Sequence, residues 1–336
     1  MRPAELPAPE VSIVIPAFNA GRHLAETVQS ALAQSFTSCE IIVIDDGSSD
    51  DTPAILHALG GQVRSERQQN SGASSARNRG TELSRGRFIQ YLDADDLLLP
   101  DAVGRRVAAL EAAAADVAYS DWQRIEEQAD GSFLPGEVVA RSIQDVHEDA
   151  EIATFTSFWA PPAALLYRRR IVDRIGGWNE SLPIIQDARF LQDAAIAGAA
   201  FVHVPGLGAR YRVTRERSLS RRSHVEFARD VLRNAQDIQR VWEARGPLGS
   251  SRQAALGQVF DYVCRELLES DRQAFDAALS ALYRVRPGFS LQWPKIAGLA
   301  AAALGQRRAA DLMTLLRRPP ASRRALLEVT SREPAR

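Results

Sequence analysis

The sequence predicts an α/β protein, a doubly wound and mostly parallel sheet followed by an all-helical C-terminal region. Three observations predict it. Short, continuous β-branched runs recur, at residues 11–15 (VSIVI) and 41–44 (IIVI), the pattern of strands buried on both faces. Helix-length segments with one apolar side separate such runs, and repeated β-α alternation builds a parallel sheet. From about Ser223 the composition shifts to Ala, Leu, Arg and Glu at helical spacing, broken at Gly246–Pro247, Pro287–Gly288, Pro294 and Pro319–Pro320.

The elements follow in order. After the first strand, Asn19 is suited to cap a helix whose apolar side is Leu24, Val28, Ala31 and Leu32. After the second, Pro53 sits where a first helical turn accepts proline, and Ile55, Leu56 and Leu59 supply the stripe. A third helix is predicted from about Ser74 to Leu83, a strand at Phe88 to Leu92, and a further helix opened by Pro100 and Asp101. Val117 to Trp122 reads as a strand, with a turn at 129–131 between two extended pieces. Farther on, AALLY and AFVHV are strand-like, and RRRIVDRIGG is a short helix stopped by Gly176 and Gly177.

Composition narrows the function classes. Hydrophobic residues are 45% and charged residues 25% of the 336, enough for a core and against extended disorder. The 41 basic and 42 acidic residues leave a net charge of -1, so no overall field favours nucleic acid, and none is expected as a partner. Cys39 and Cys264 stand far apart without ligand spacing, against a disulfide framework or structural zinc. With no run of about 18 apolar residues, a cytoplasmic location is expected; the longest apolar stretch is 296–304. The basic segment Arg307 to Arg318 admits a peripheral contact at the inner face of a membrane, although a packed helix is the commoner use of such a pattern.

In an open α/β sheet the ligand lies beyond the carboxyl ends of the strands. Here those positions are acidic: DDGSSDDT follows IIVI (Asp45 to Thr52) and DADD follows FIQYL (Asp93 to Asp96). On an extended backbone Asp93 and Asp95 point the same way. Two converging carboxylates repel, and a hard divalent cation such as Mg²⁺ or Mn²⁺ relieves that repulsion while gripping phosphate. Asp50, Asp51 and Asp101 read as caps and turn formers, and Asp96 as a helix-side cap.

Four segments in order, VSIVIPAFNA, EIIVIDDGSSDDT, QQNSGASSARNRG and FIQYLDADDLLLP, resemble the N-terminal half of a family 2 glycosyltransferase of the GT-A fold. The later GGWNESLPIIQDARFLQDAAIAG resembles that family's acceptor-side segment, so the likeness covers roughly residues 10 to 220. It implies a glycosyltransferase domain (10–222) with a nucleotide-binding half (10–122) and an acceptor-side half (123–222); a flexible N-terminus (1–9) and the helical region (223–336) lie outside the likeness. It also implies an inverting, metal-dependent transfer from a nucleoside-diphosphate sugar, with a UDP-sugar favoured, to a hydroxyl of a sugar, lipid-linked or other acceptor.

The resemblance places the nucleoside among Pro16, Ala17, Asn19, Asp45, Asp46, Asn70, Gly72 and Arg77, with Arg77 alternatively ion-paired to Asp45 or Asp93. Asp93 and Asp95 form the DxD pair, Asp95 as metal ligand and Asp93 nearer the ribose or the metal's water. Where family members carry Glu-Asp, this chain has Gln186-Asp187, so Asp187 is the expected catalytic base and Asp193 its competitor. Trp178 is read either as a sugar platform or as a packing plug, and Trp159 carries the same two readings. Six arginines between Arg210 and Arg222, Arg215 and Arg217 among them, suit phosphate or an anionic acceptor, and suit a solvated surface as well. The Gln-x-x-Arg-Trp motif of processive synthases is absent, which favours addition of a single sugar. A nucleotidyltransferase is disfavoured because PAFNAGRHL lacks a Gly-rich basic phosphate loop. A non-catalytic nucleotide-sugar-binding relative remains the alternative.

Overall fold

The computed structural model describes residues 8–214 and 223–287. They fall into two compact units, divided between 222 and 223.

The first unit is built on a nine-stranded sheet in the order β3-β2-β1-β4-β8-β6-β9-β5, with β7 also paired to β6. β1 (Val11–Ala17) and β2 (Cys39–Asp45) pair in parallel along their whole length, from Val11 with Cys39 to Ala17 with Asp45. β4 (Phe88–Tyr91) lies parallel on the other side of β1. All seven residues of β1 are buried, because helices cover both faces of a parallel sheet. Between these strands lie α1 (Leu24–Leu32), α2 (Thr52–Leu59) and α3 (Ala73–Leu83), as the alternation predicts.

β3 (Arg64–Arg67) is an edge strand of sequence RSER that sequence reading missed. Its side chains are mostly exposed, so it has no hydrophobic pattern, and it exists through its parallel pairing with β2. Beyond β4 the sheet becomes mixed. β8 (Leu165–Arg168) runs antiparallel to β4 and to β6 (Val117–Glu127), while β9 (Phe201–Val213) runs parallel to β6. The 11-residue β6 takes β8 beside its first residues and β7 (Phe133–Val139) beside its last. β5 (Leu97–Leu98) pairs antiparallel with β9 through Leu97 and Arg210, which brings the DADD turn against the end of β9. α4 (Ala102–Ala112), α5 (Ala150–Thr156), α6 (Arg169–Ile175) and α7 (Gln186–Ile196) complete the unit. α6 ends at Gly176 in the left-handed conformation (φ 83°), the stop expected from the Gly pair.

Two packing features place the later site. Gly80 lets α3 lie close on β1, since a Cβ there would meet Val14 Cγ1 inside van der Waals contact. An aromatic cluster of Tyr91, Tyr167, Trp178 and Phe190 joins β4, β8 and α7.

The second unit contains α8 (His224–Ala244), α9 (Ser250–Leu267) and α10 (Arg272–Val285) among the described residues. Each buries an apolar stripe, such as Leu232, Ile238 and Trp242 on α8 and Leu256, Phe260 and Val263 on α9. Ser223 Oγ caps α8 by accepting from the Glu226 N–H at 3.2 Å, and Asp271 caps α10 through the Ala274 N–H at 3.0 Å. Among the described residues no helix is long and apolar enough to cross a membrane. The segments 296–304 and 307–318 lie outside the described residues.

Candidate active site

β1, β2 and β4 are parallel and in register, so their carboxyl ends share one edge of the sheet and the acidic loops emerge together. Pro16 and Ala17 close β1 there, paired with Ile44 and Asp45. Asn19 takes a left-handed backbone (φ 49°), and its Oδ1 accepts from the Ser49 N–H at 2.9 Å. It does not cap α1, which begins at Leu24 without a side-chain cap. Asn19 instead ties the loop after β1 to the loop after β2, a task open to a short amide that tolerates positive φ.

Asp45 and Asp46 brace the neighbouring loops. Asp45 accepts from the Ser48 N–H at 2.9 Å and faces Arg67 at 3.3 Å. Asp46 accepts from the backbone N–H groups of Ser71 and Gly72, at 2.9 and 2.8 Å, and from Gln68 Nε2 at 2.8 Å. These bonds hold Asn70 and Gly72 exposed at the rim of the strand ends. Gly47 is required in the same place, because at its φ of +79° a Cβ would lie 2.9 Å from the Asn70 nitrogen.

Arg77, on α3, is buried and ion-paired with Asp93, which decides between the two carboxylates the sequence left open. Its Nε and Nη1 find no hydrogen-bond partner among the described residues. Its guanidinium carbon lies 4.3 Å from the centre of the Trp178 ring. Phe190 stacks on the same indole at 4.2 Å, and Trp178 is 4% exposed. Trp178 is therefore a packing plug under Arg77, and its ring is closed to a sugar.

After β4 the chain turns through Asp93, Ala94, Asp95 and Asp96. The Asp95 carboxylate, partly exposed, has no hydrogen bond to another side chain among the described residues; burial, and then the neighbouring Asp93, push its pKa up to about 6. Asp96 is not a helix cap. It is fully buried, accepts from the Arg212 N–H at 2.9 Å, and is raised well above the ordinary range by burial and by Asp95 and Asp93. Arg212 holds the turn: one guanidinium nitrogen donates to the Asp95 carbonyl at 2.7 Å and another pairs with Glu26. Arg212 is thus a brace for the acidic turn, and its basic neighbours Arg215, Arg217, Arg221 and Arg222 lie outside the described residues.

Asp187 stands in the first turn of α7. Its Oδ1 accepts from the Ala188 N–H and its Oδ2 from Trp159 Nε1, both at 2.8 Å. Burial raises its pKa, with Asp93 adding to the rise and these two N–H groups opposing it. The rival Asp193 is bound up two turns along α7 with Arg189 at 2.8 Å. Gln186, where the resemblance leads one to expect Glu, is buried and accepts from Ser74 Oγ at 2.7 Å, linking α7 to the start of α3.

Tyr211 was missed from the sequence. Burial raises the pKa of its hydroxyl, and the charges of Asp96, Asp187, Asp93 and Asp95 add to the rise. It stands directly between Arg210 and Arg212 on β9, so alternation along the strand was the available signal. The four carboxylates are thus near enough to Tyr211 for their charges to act on it, and Trp159, which packs on Tyr211 at 5.6 Å, donates to Asp187.

Among the described residues no group of three or more His, Cys, Asp or Glu side chains is arranged to hold a metal ion by itself. The donor chemistry of Asp95 and Asp93 nevertheless fits a hard divalent cation completed by phosphate oxygens, since an uncompensated carboxylate beside another is what such an ion neutralises.

Comparison with known proteins accords with this arrangement. The family described as glycosyl transferase family 2 matches residues 12–176. The succinoglycan biosynthesis protein ExoO of Rhizobium meliloti (strain 1021) is 29% identical over 226 residues, a match spanning 65% of this chain and 65% of that relative, short of two thirds of its length. Residues 1–349 of S. aureus TarS, solved in complex with UDP, superpose with a TM-score of 0.58 at 16% identity, covering 88% of this chain and 92% of that one. The mannosyltransferase PcManGT of Pyrobaculum calidifontis, solved with GDP-Man and Mn²⁺, gives 0.52 at 16% identity, covering 92% and 87%. At such identities the two structures speak for the shared fold. Over residues 12–176, the stretch that carries the strand ends and the acidic turn, this chain matches the family described as glycosyl transferase family 2.

Proposed function

We propose that the protein transfers a sugar from a nucleoside-diphosphate sugar to an acceptor hydroxyl with inversion, in the synthesis of a polysaccharide or glycoconjugate. The observation that carries this reading is the gathering of Asp93, Asp95 and Asp187 around one region at the carboxyl ends of the family-matched strands. The UDP complex of TarS and the GDP-Man complex of PcManGT support a nucleotide-sugar donor, and the UDP sugar is favoured.

The nucleoside lies over Pro16, Ala17 and Asn19, against the exposed rim of Asn70 and Gly72 that Asp45 and Asp46 hold in shape. Asp95, with Asp93, holds Mg²⁺ or Mn²⁺, which when bound supplies positive charge against the charge developing on the leaving diphosphate. Arg77 pairs with Asp93 and holds it in place. Asp187 accepts the proton of the acceptor hydroxyl as its oxygen attacks the anomeric carbon; the bond from that carbon to the diphosphate breaks on the opposite face, and the nucleoside diphosphate leaves with the electron pair. Burial raises the pKa of Asp187, which strengthens it as a base. Arg215 and Arg217 are assigned to phosphate or acceptor contact on sequence grounds alone.

The test is a thermal-shift screen of UDP, GDP and their sugars with and without Mn²⁺, because a ligand of the native state raises its melting temperature by mass action. A cation-dependent rise with a nucleoside diphosphate, and release of that diphosphate when acceptor is added, are the expected results. Release of pyrophosphate would indicate a nucleotidyltransferase, and binding without release a non-catalytic relative.

A further inference from the structure

We infer that Trp159 is the positioning residue of the catalytic base, an inference that rests on the assignment of Asp187 proposed above. A carboxylate on a two-bond side chain is aimed at its proton donor only when its rotation is arrested. Here one N–H engages each oxygen: the Ala188 backbone on Oδ1 and the Trp159 indole on Oδ2, both at 2.8 Å. The backbone contact is local to α7 and comes with the helix. The indole contact is tertiary and crosses 28 residues. Each oxygen keeps a second lone pair, so the two bonds fix the plane of the carboxylate without consuming its capacity to take a proton.

The indole is itself fixed on several sides. Trp122 of β6 and Tyr211 of β9 meet it edge to face, with ring centres 5.4 and 5.6 Å away, and meet each other at 5.8 Å. The chain beyond it is stiff, since Pro161 and Pro162 follow after Ala160 and the Pro162 carbonyl accepts from buried Gln90 Nε2 at 2.8 Å. Two strands and a proline-stiffened segment therefore converge to hold one N–H donor against one carboxylate oxygen. A packing role alone would be served by phenylalanine; the hydrogen bond is what requires tryptophan.

The test deletes the N–H and keeps the ring. Trp159→Phe, and in parallel site-specific replacement of Trp159 by its benzothiophene isostere, in which sulfur takes the place of the N–H, are compared with wild type in the full chain. The isostere preserves the shape should the phenylalanine variant fold poorly. Turnover is expected to fall between about 10- and 100-fold, the scale of a misaimed catalytic group, with the dissociation constant for UDP and Mn²⁺ and the acceptor KM little changed. A second readout needs no turnover: the indole N–H signal of Trp159 in ¹H–¹⁵N spectra, assigned by its loss in Trp159→Phe, should move on Asp187→Ala. Wild-type turnover in the isostere, or a Trp159 signal indifferent to Asp187→Ala, overturns the inference. A signal that moves in a protein that transfers no sugar instead upholds the positioning contact and refutes the glycosyltransferase reading.

Discussion

Asp95→Asn should stabilise the metal-free protein at neutral pH while abolishing its response to metal and nucleotide. In the folded chain the Asp95 carboxyl is pushed up to about 6, first by burial and then by Asp93, against an ordinary value of 3.8. Each pKa unit is about 1.4 kcal/mol, so ionised Asp95 costs the fold at most about 3 kcal/mol. Solvent screening at this partly exposed carboxylate brings the expected figure to about half of that. Between 3.8 and 6 the folded state binds more protons than the unfolded state, so the stability of the wild type falls as pH rises through that window. The cost is absent below the window and complete above it. Asparagine has nearly the same shape and no charge to bury.

Melts of both proteins in EDTA at several pH values between about 4 and 8 measure this directly. The curves should coincide near the lower limit, and the variant should lead by a few degrees near the upper one, at roughly 2–4 °C per kcal/mol for a unit of this size. Adding Mn²⁺ with UDP should then reverse the order, since only the wild type gains from the ligand. Equal melting temperatures at the upper limit, or a difference of the same size at both limits, would refute the reasoning: either the carboxylate is solvated in the folded chain or its charge is already compensated.

Three further outcomes follow from the same structure. Asp187→Asn should lower turnover by about 10²–10⁴-fold with the donor dissociation constant unchanged, whereas Asp193→Asn, which weakens the ion pair with Arg189 along α7, should leave the rate near wild type; steady-state kinetics and calorimetry decide between them. Gly80→Ala should destabilise the first unit by about 1–3 kcal/mol in urea melts, because the added methyl meets Val14 Cγ1 and forces α3 off β1. Asp46→Asn should weaken UDP binding and increase proteolysis between residues 68 and 72, because one of the oxygens now accepting from the Ser71 and Gly72 N–H groups would become an amide nitrogen.

Much of this protein is legible in its sequence because its information there is local. The runs VSIVI and IIVI announce β1 and β2 from their own residues, since continuous apolar, β-branched character suits a strand covered on both sides. The acidic turn after FIQYL and the glycine stop of α6 likewise depend on neighbours a few residues away. What the tertiary structure alone decided is everything set by partners distant in sequence. RSER becomes β3 only because β2 offers it an edge. Asn19 leaves helix capping for Ser49, Asp46 spends its oxygens on residues 68–72, and Trp178 is sealed between Phe190 and Arg77. The indole of Trp159 reaches Asp187 across 28 residues, and Arg212 reaches the Asp95 carbonyl across 117. A side chain's composition states which bonds it can make; which of them it does make depends on the groups folding brings within about 3 Å of it, and no local pattern encodes that distance.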